Sequence, residues 1–493
     1  MRNIFKFFAV ALAILAAVSC EKNEVPGNEL SGEPITLTAS ITNGGTRTSL
    51  GDWDNTAGEF PVLWSKADEI AVIQGSNVFK FVLVSGEGTT SGVFICENHE
   101  GFQASQAFQA FYPYRDNLLN EDGNVDFEVV ARQNHLTNTF NIDVAPMAAY
   151  SASGTSLTFA NLFSVLKLQL EGITETVKSI EVTSMTNANL CGPAVFSFSE
   201  EGMPALKGWK WNNSSTRIVI LDCGEGVQLK TDEPTDFMIM IPPGVGQGWA
   251  VVIKTDENTY YKSSSQSHDV ASGKILGMQS LDLSPSGNVN KLTAKSYVEN
   301  SVYLGEGIQI GNLLWAPVNC GYEKAIGSYK GYTWGKLYQW GASGGIGYST
   351  DYDATGEGIN NYHSYSSNAW SNNNNNPCPD GWRVPTSEEL GSLLRSSDLE
   401  TDGNGKQGYW FGTSVDDRKV FFQAAGEKSN NLGGAGRGQN CYYWSATSLH
   451  YENGSQMYCM YNSNNELVNG ISQYQYFKEA ASVRCVKDVV MPN

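Results

Sequence analysis

Along most of the chain, apolar and polar residues alternate with a period of two. Phe79, Phe81 and Leu83 are separated by Lys80 and Val82; Leu166, Leu168 and Leu170 by Lys167 and Gln169; Ile180 and Val182 alternate with Ser179 and Glu181. Alternation of this kind, broken by clusters of Gly, Asn and Asp, predicts antiparallel strands with one wet face. Phe237-Met238-Ile239-Met240-Ile241 is apolar on both faces and runs into Pro242-Pro243-Gly244, which predicts a core strand ending in a turn. Little between Ile35 and Asp282 has helical spacing. Two β-sandwiches in succession fit this length, residues 35–152 and 153–283, with a break near Ser151 to Thr155. Residues 284–300 open with Ser284-Pro285-Ser286-Gly287-Asn288, a linker composition, and a third domain is expected over 301–488. In it Thr386-Ser387-Glu388-Glu389 spells a capping box, with Leu390, Leu393 and Leu394 at helical spacing behind it. This predicts a short amphipathic helix to about Arg395. The expected fold class is mainly β: two tandem antiparallel β-sandwiches, then an α+β domain.

The first residues carry a different pattern. Arg2 and Lys6 precede an apolar run from Phe7 to Val18, and Ala17-Val18-Ser19-Cys20 supplies the small residues and cysteine of a bacterial lipoprotein signal. The run is too short to span a bilayer and turns polar at once in Glu21-Lys22-Asn23-Glu24, as a cleaved signal does. Residues 1–19 are therefore read as signal peptide, Cys20 as the lipidated residue, and 20–34 as a polar tether. The mature chain is expected outside the cytoplasm, held at the outer membrane by lipid on Cys20.

Charge narrows the class of partner. With 32 Lys and Arg against 51 Asp and Glu, the net charge is −19, which opposes binding of nucleic acid or an anionic membrane through a basic face. Nine cysteines are present; with Cys20 assigned to lipid, the even remainder does not reveal its own pairing. Cys96 and Cys191 lie among apolar strand residues, as small buried fillers would.

Catalytic patterns are missing. His99, His135, His268, His363 and His450 form no metal-binding spacing. No Gly-x-Ser-x-Gly elbow stands between a strand and a helix, and Gly433-Gly434-Ala435-Gly436-Arg437-Gly438 lacks the lysine and hydroxyl of a phosphate loop. No enzyme activity, cofactor or metal is expected. Asp351, Asp353, Glu357 and Asp380 read as solvated loop carboxylates.

The C-terminal landmarks are Asn376-Pro377-Cys378-Pro379-Asp380-Gly381-Trp382-Arg383-Val384-Pro385-Thr386, then Tyr442-Tyr443-Trp444-Ser445-Ala446-Thr447-Ser448, then Ala481-Ser482-Val483-Arg484-Cys485-Val486. Together they resemble the Fibrobacter succinogenes major paralogous domain, a C-type-lectin-like fold related to the formylglycine-generating enzymes. The resemblance implies that Trp382, Arg383, Pro385 and Trp444 are scaffold, and makes Cys378 and Cys485 the candidate bridge. It does not carry over a calcium-dependent sugar site, because Asn376-Pro377-Cys378 and Trp444-Ser445-Ala446 stand where calcium-binding lectins have their ligand triplets. Formylglycine-type chemistry would need a cysteine pair such as Cys441 with Cys459, which no spacing demands.

The N-terminal half resembles the fimbrillin-like pilins, whose domains are transthyretin-like, Greek-key sandwiches. The matching pieces, in order, are Thr46-Arg47-Thr48, Trp64 with Asp68 and Ile70, Ala110-Phe111-Tyr112-Pro113-Tyr114, Pro146-Met147-Ala148-Ala149, Phe159 to Lys167, and Ile241-Pro242-Pro243-Gly244. The resemblance implies proteolytic processing after Arg47 and assembly with other pilin subunits by donor-strand exchange. A whole extra domain stands where a stalk pilin would end on its own donor strand, which implies a tip or accessory position. The remaining readings are a membrane-tethered receptor without a pilus and an enzyme on the formylglycine-type scaffold.

Between the landmarks, residues 449–476 are rich in Tyr, Asn, Ser, Gly and Gln. Tyr451, Asn453, Ser455, Tyr458, Tyr461, Asn462, Asn464, Asn465, Asn469, Ser472, Tyr474 and Tyr476 have the chemistry of an antibody paratope, with large amphipathic rings and adaptable hydrogen-bonding groups. They are the expected ligand-binding residues, for glycan or protein and without a metal. The same residue types arise when adenines are substituted in AAC codons, the mark of diversity-generating retroelements; an ordinary polar segment in an Asn-rich domain accounts for them equally.

Overall fold

The computed structural model describes residues 34–41, 49–50, 62–137, 140, 144–186, 188–197, 202, 204–211, 214–244, 247–268, 270–326, 331–344, 370, 375–428, 436–448, 454–463, 466–476 and 479–489. The chain is mainly β, as the period-two pattern predicts. None of its described helices is long and apolar enough to cross a membrane.

The first sheet closes on itself as a barrel. Its strands are Ile35–Ile41, Ser156–Asn161, Met147–Ser151, Phe108–Tyr112, Glu69–Gln74, Asn77–Ser85 and Ser91–Cys96, in spatial order. Leu37, Ala39, Trp64, Ile70, Val72, Phe81, Phe94 and Phe159 fill it. Trp64 stands at the centre, edge-on to Phe94, Tyr112 and Phe159, and donates from Nε1 to Ala39 O at 3.3 Å. Asp68 turns the chain beside it, accepting from Ser65 N at 2.6 Å and from the Tyr112 hydroxyl at 3.1 Å.

Several wall strands bury both faces. In Glu69–Gln74, Ile70 and Val72 point into the barrel, while Ala71 and Ile73 join Phe111 and Ala148 on the outside. That outer face packs on one side of a small central sheet, whose neighbouring strands are Ser164–Glu171 and Thr235–Ile241. Val165, Met238 and Met240 face the barrel wall; Leu166, Leu168, Leu170, Phe237, Ile239 and Ile241 face the opposite way. There they meet Val177, Ile180, Val182, Val219, Leu221, Trp249, Val251 and Ile253 of a six-stranded sheet. The all-apolar run 237–241 is thus explained by a core on each side.

Pairing between distant segments departs from two successive domains. Ser156–Asn161 lies beyond the expected break at 152/153 yet completes the barrel, parallel to Ile35–Ile41. Val125–Val129 leaves the first segment to pair with Gly192–Ser197, and Arg132–Asn134 runs parallel to Ile218–Gln228. Beside this crossover the fully buried Gln133 amide donates to Met240 O and accepts from Met240 N, both at 2.9 Å. It satisfies the outward main-chain groups of a buried edge strand.

The expected linker 284–300 is also built into the sheets. Asn290–Lys291 pairs with the edge strand Thr259–Ser267, and Ser296–Glu299 forms a hairpin with Val302–Glu306. Tyr297, fully buried, packs edge-on against Trp382. The third unit therefore begins before residue 301. It docks on the outer face of the six-stranded sheet, where Ile326, Val302 and Tyr303 meet Ala250, Val252 and Tyr261. Gly248, at φ +78°, allows this approach: a Cβ there would come within 2.7 Å of Ile326.

The capping box forms as expected. Thr386 Oγ1 accepts from Glu389 N at 3.2 Å and the Glu389 carboxylate accepts from Thr386 N at 2.7 Å. The helix spans only Ser387–Gly391, because Leu394–Arg395 turns into a strand pairing with Phe411 and Gly412.

Ile239→Ala removes a side chain clamped between two buried layers and is expected to cost about 2–5 kcal/mol, read by urea unfolding. Val84→Ser, at a 53% exposed position, is expected to change stability by less than about 0.5 kcal/mol.

Candidate recognition face and its supports

The C-terminal landmarks meet in one core. Trp444 is fully buried and donates from Nε1 to Tyr338 O at 2.7 Å, and Trp340 donates to Ser445 O at 2.9 Å. Arg383 forks between Glu389 and Asp488, both at 2.7 Å, and so ties the helix start to the last strand. Burial raises Glu389, but its bonds to Arg383 and Thr386 N outweigh it and hold the carboxyl below the usual range; the Arg383 bond holds Asp488 below it as well. Arg484 is fully buried over the Phe422 ring and donates to Ala316 O and Phe421 O at 2.9 and 2.8 Å. The Tyr443 hydroxyl lies 2.8 Å from Asn319 Oδ1 and from Gln423 O. Cys378 and Cys485 are joined by a disulfide, with Cα atoms 5.9 Å apart.

This core carries the inner strand of a three-stranded meander: Cys441–Ser448, Gly454–Ser463 and Glu466–Tyr476. Ser455, Tyr458, Tyr461 and Asn462 lie on the middle strand; Asn469, Ser472, Tyr474 and Tyr476 lie on the outer one. The register sets Tyr458 opposite Ile471, Met460 opposite Asn469, and Tyr461 opposite Val468. Eight of the twelve expected ligand-binding positions therefore belong to one antiparallel ribbon. Tyr451, Asn453, Asn464 and Asn465 lie outside the described residues, as do Cys20 and Arg47. Cys441 sits opposite Met460, while Cys459 is opposite Tyr442. Burial pushes the Cys441 thiol well above its ordinary range. Asp380 is exposed, and Asp351, Asp353 and Glu357 are outside the described residues.

At the other end of the chain, Ile35–Ile41 is an interior strand of the barrel. It is antiparallel to Ser91–Cys96 and parallel to Ser156–Asn161, and it buries Leu37, Ala39 and Ile41. Arg47 follows six residues after its end. A cut there would sever this strand from the rest of the barrel, and its departure would bare two hydrogen-bonding edges and an apolar slot.

One polar cluster escaped the sequence reading because two of its members stand in the supposed linker. Glu299 Oε1 accepts from Gly321 N at 2.7 Å, and Oε2 accepts from the Tyr297 hydroxyl at 3.0 Å. The Cys320 thiol lies 3.6 Å from Glu299 Oε1, 3.2 Å from the Tyr338 hydroxyl and 3.0 Å from Pro377 O. Burial pushes Glu299 up to about 7 against these bonds and the Lys336 charge. The alternation Tyr297, Glu299 beside Asn319-Cys320 was the available signal.

No family model matches the chain, and no curated protein matches it. Among solved structures it is similar to a candidate cell adhesion protein from Bacteroides ovatus, at 13% identity over 53% of this chain and 96% of that one, TM-score 0.36. A second, from Bacteroides uniformis, is 16% identical over 54% and 98%, TM-score 0.34. A fimbrial protein from Bacteroides ovatus is 12% identical over 92% and 99%, TM-score 0.25. These likenesses are too distant to fix a family or a function.

Glu299 gives stability a definite slope with pH. Between its ordinary value of 4.5 and about 7, the folded chain holds a proton that the unfolded chain has released, so stability falls as pH rises through this window. The contribution is on the order of 3 kcal/mol. Glu427, also pushed up to about 7 by burial, adds the same sign. Glu299→Gln is expected to flatten, without abolishing, the decline measured by denaturant unfolding between about pH 5 and 8.

Proposed function

We propose that the chain is an exported, non-catalytic adhesin of the fimbrillin-like class, a tip or accessory subunit of a surface pilus. Its C-terminal unit is a lectin-like head that binds glycan or protein through the ribbon 454–476 and its flanking residues. Cys20 carries the lipid anchor at the outer membrane before processing. Cleavage after Arg47 releases the first strand, and a strand from another subunit replaces it by main-chain pairing.

The observation that carries this reading is the place of Ile35–Ile41: an interior, apolar-faced strand directly before the candidate cleavage site. A strand in that position is a replaceable plug. An edge strand would open no two-sided slot. The paratope-like composition of the ribbon supports the second half, since Tyr contributes contact area at low entropic cost. The buried Trp, Arg and disulfide framework supplies a rigid base for it.

The test pairs immunogold electron microscopy, using antibody to residues 301–488, with the N-terminal residue of the mature chain. Label at fibre ends with Thr48 as the first residue is expected, and Arg47→Ala should leave the chain uncut and absent from fibres. Label confined to the envelope, with acylated Cys20 intact, would overturn the pilus role and leave a tethered receptor.

A further inference from the structure

Three sulfurs converge beneath the C-terminal unit. Cys320 Sγ, Cys378 Sγ and Cys485 Sγ all lie within 4.8 Å of one another, and all three residues are buried. Cys378 and Cys485 are bonded to each other, and Cys320 is a free thiol. While that bond stands, two of the three sulfurs are unavailable as thiolate donors, so the trio is not a ready metal site. A free thiol packed against a disulfide is instead the reactant pair of thiol–disulfide exchange.

The surrounding groups form a path for the proton such exchange must move. The Cys320 thiol faces Glu299 Oε1 at 3.6 Å. Glu299 Oε2 is bonded to the Tyr297 hydroxyl at 3.0 Å, and that hydroxyl reaches Cys485 Sγ at 3.6 Å. The Tyr338 hydroxyl stands 3.2 Å from Cys320 Sγ, placed to donate to a thiolate forming there. Acceptor, carrier and leaving group are thus connected in one buried chain.

We propose that Cys320, Cys378 and Cys485 form an internal disulfide-exchange site served by Glu299 and Tyr297. Glu299 takes the Cys320 proton, and the thiolate attacks Cys378 Sγ. The Cys320–Cys378 bond forms as the Cys378–Cys485 bond breaks. Cys485 leaves as a thiolate, receives the Tyr297 proton, and Tyr297 recovers one from Glu299. One thiol and one disulfide are present before and after, so neither oxidant nor reductant is consumed. The direction of attack follows from Tyr297, which contacts Cys485 and can therefore protonate it as leaving group. The charge state of Glu299 suits the task, since its carboxyl titrates near neutrality; burial holds the Cys320 thiol well above its ordinary value, so exchange is slow and depends on the relay.

The consequence is mechanical. The bridge ties the segment before Trp382 to the strand Val486–Asp488, which pairs with Leu313–Trp315. Exchange moves that tie from the C-terminal strand to Cys320 and leaves Cys485 as the free thiol.

The test uses the full chain held at about pH 8, quenched in acid, blocked with N-ethylmaleimide in acidic denaturant and digested without reduction for mass spectrometry. We expect a minor population, at least about 1%, with Cys320 linked to Cys378 and Cys485 blocked. It should vanish in Cys320→Ser. Its appearance after a jump from acidic to alkaline pH should slow about ten-fold in Glu299→Gln and in Tyr297→Phe. Finding only Cys378–Cys485, with Cys320 blocked, in every wild-type sample would overturn the exchange. Unchanged rates in both relay variants would overturn the roles of Glu299 and Tyr297. The wild-type measurement stands even where a variant fails to fold.

Discussion

Burial of strands on both faces is the constraint on which this structure depends. A strand with one apolar stripe can close one core, but Thr235–Ile241 separates two, and Glu69–Gln74 and Gln247–Thr255 do the same elsewhere. The barrel, the central sheet, the six-stranded sheet and the C-terminal unit therefore form a continuous stack, each layer sharing a wall with the next. Interiors at crystalline density transmit displacement poorly absorbed by side chains, so strain applied to one layer is felt by its neighbour. The same arrangement leaves main-chain groups of inner edge strands without water, which is why a whole Gln133 side chain is committed to Met240.

Local pattern was legible where a single strand or turn determines the outcome. Alternation at 79–83 and 166–170 became buried and open positions as read, and Thr386 with Glu389 formed the reciprocal cap. Partner choice was not legible, since periodicity says which face of a strand is dry and nothing about which strand lies beside it. Ser156–Asn161 has the same pattern whether it opens a second sandwich or closes the first barrel, and here it closes the barrel. Ser284-Pro285-Ser286-Gly287 has true turn chemistry, yet four residues of turn do not make a linker of seventeen. Asn290–Lys291 and Ser296–Glu299 on its far side are strands too short to show a period.

In the C-terminal unit the hallmark residues act chiefly by closing distances in sequence. Arg484 reaches main-chain carbonyls at 316 and 421, Trp444 reaches 338, and Arg383 reaches 488. Such bonds hold segments that have little regular structure of their own, and they fix Cys441–Ser448, the inner strand of the meander, in the core. Composition singles out the residues of the ribbon 454–476; the register, which composition does not carry, sets each of those on the middle strand opposite a residue of another kind, Tyr458 facing Ile471 and Tyr461 facing Val468.

The two ends of the chain solve opposite problems with the same element. At the C-terminus, Val486–Asp488 is a three-residue strand locked by a disulfide, by Arg383 and by pairing with Leu313–Trp315. At the N-terminus, Ile35–Ile41 is longer and pairs on both sides, yet among the described residues no disulfide or ion pair fastens it. Its hold on the barrel is main-chain pairing, the apolar side chains of Leu37, Ala39 and Ile41, the Trp64 indole N–H on Ala39 O, and the Thr38 and Ser40 hydroxyls, which donate to Thr155 O and Leu157 O. The main-chain and apolar part of that hold depends on alternation alone, because the ladder is indifferent to side-chain identity and the slot takes apolar groups at every second position. The last strand, by contrast, is held by a disulfide and by the Arg383 fork, partners that another segment could not supply. The two strands thus differ in kind: the last is specified by particular side chains, the first chiefly by its ladder and its apolar alternation.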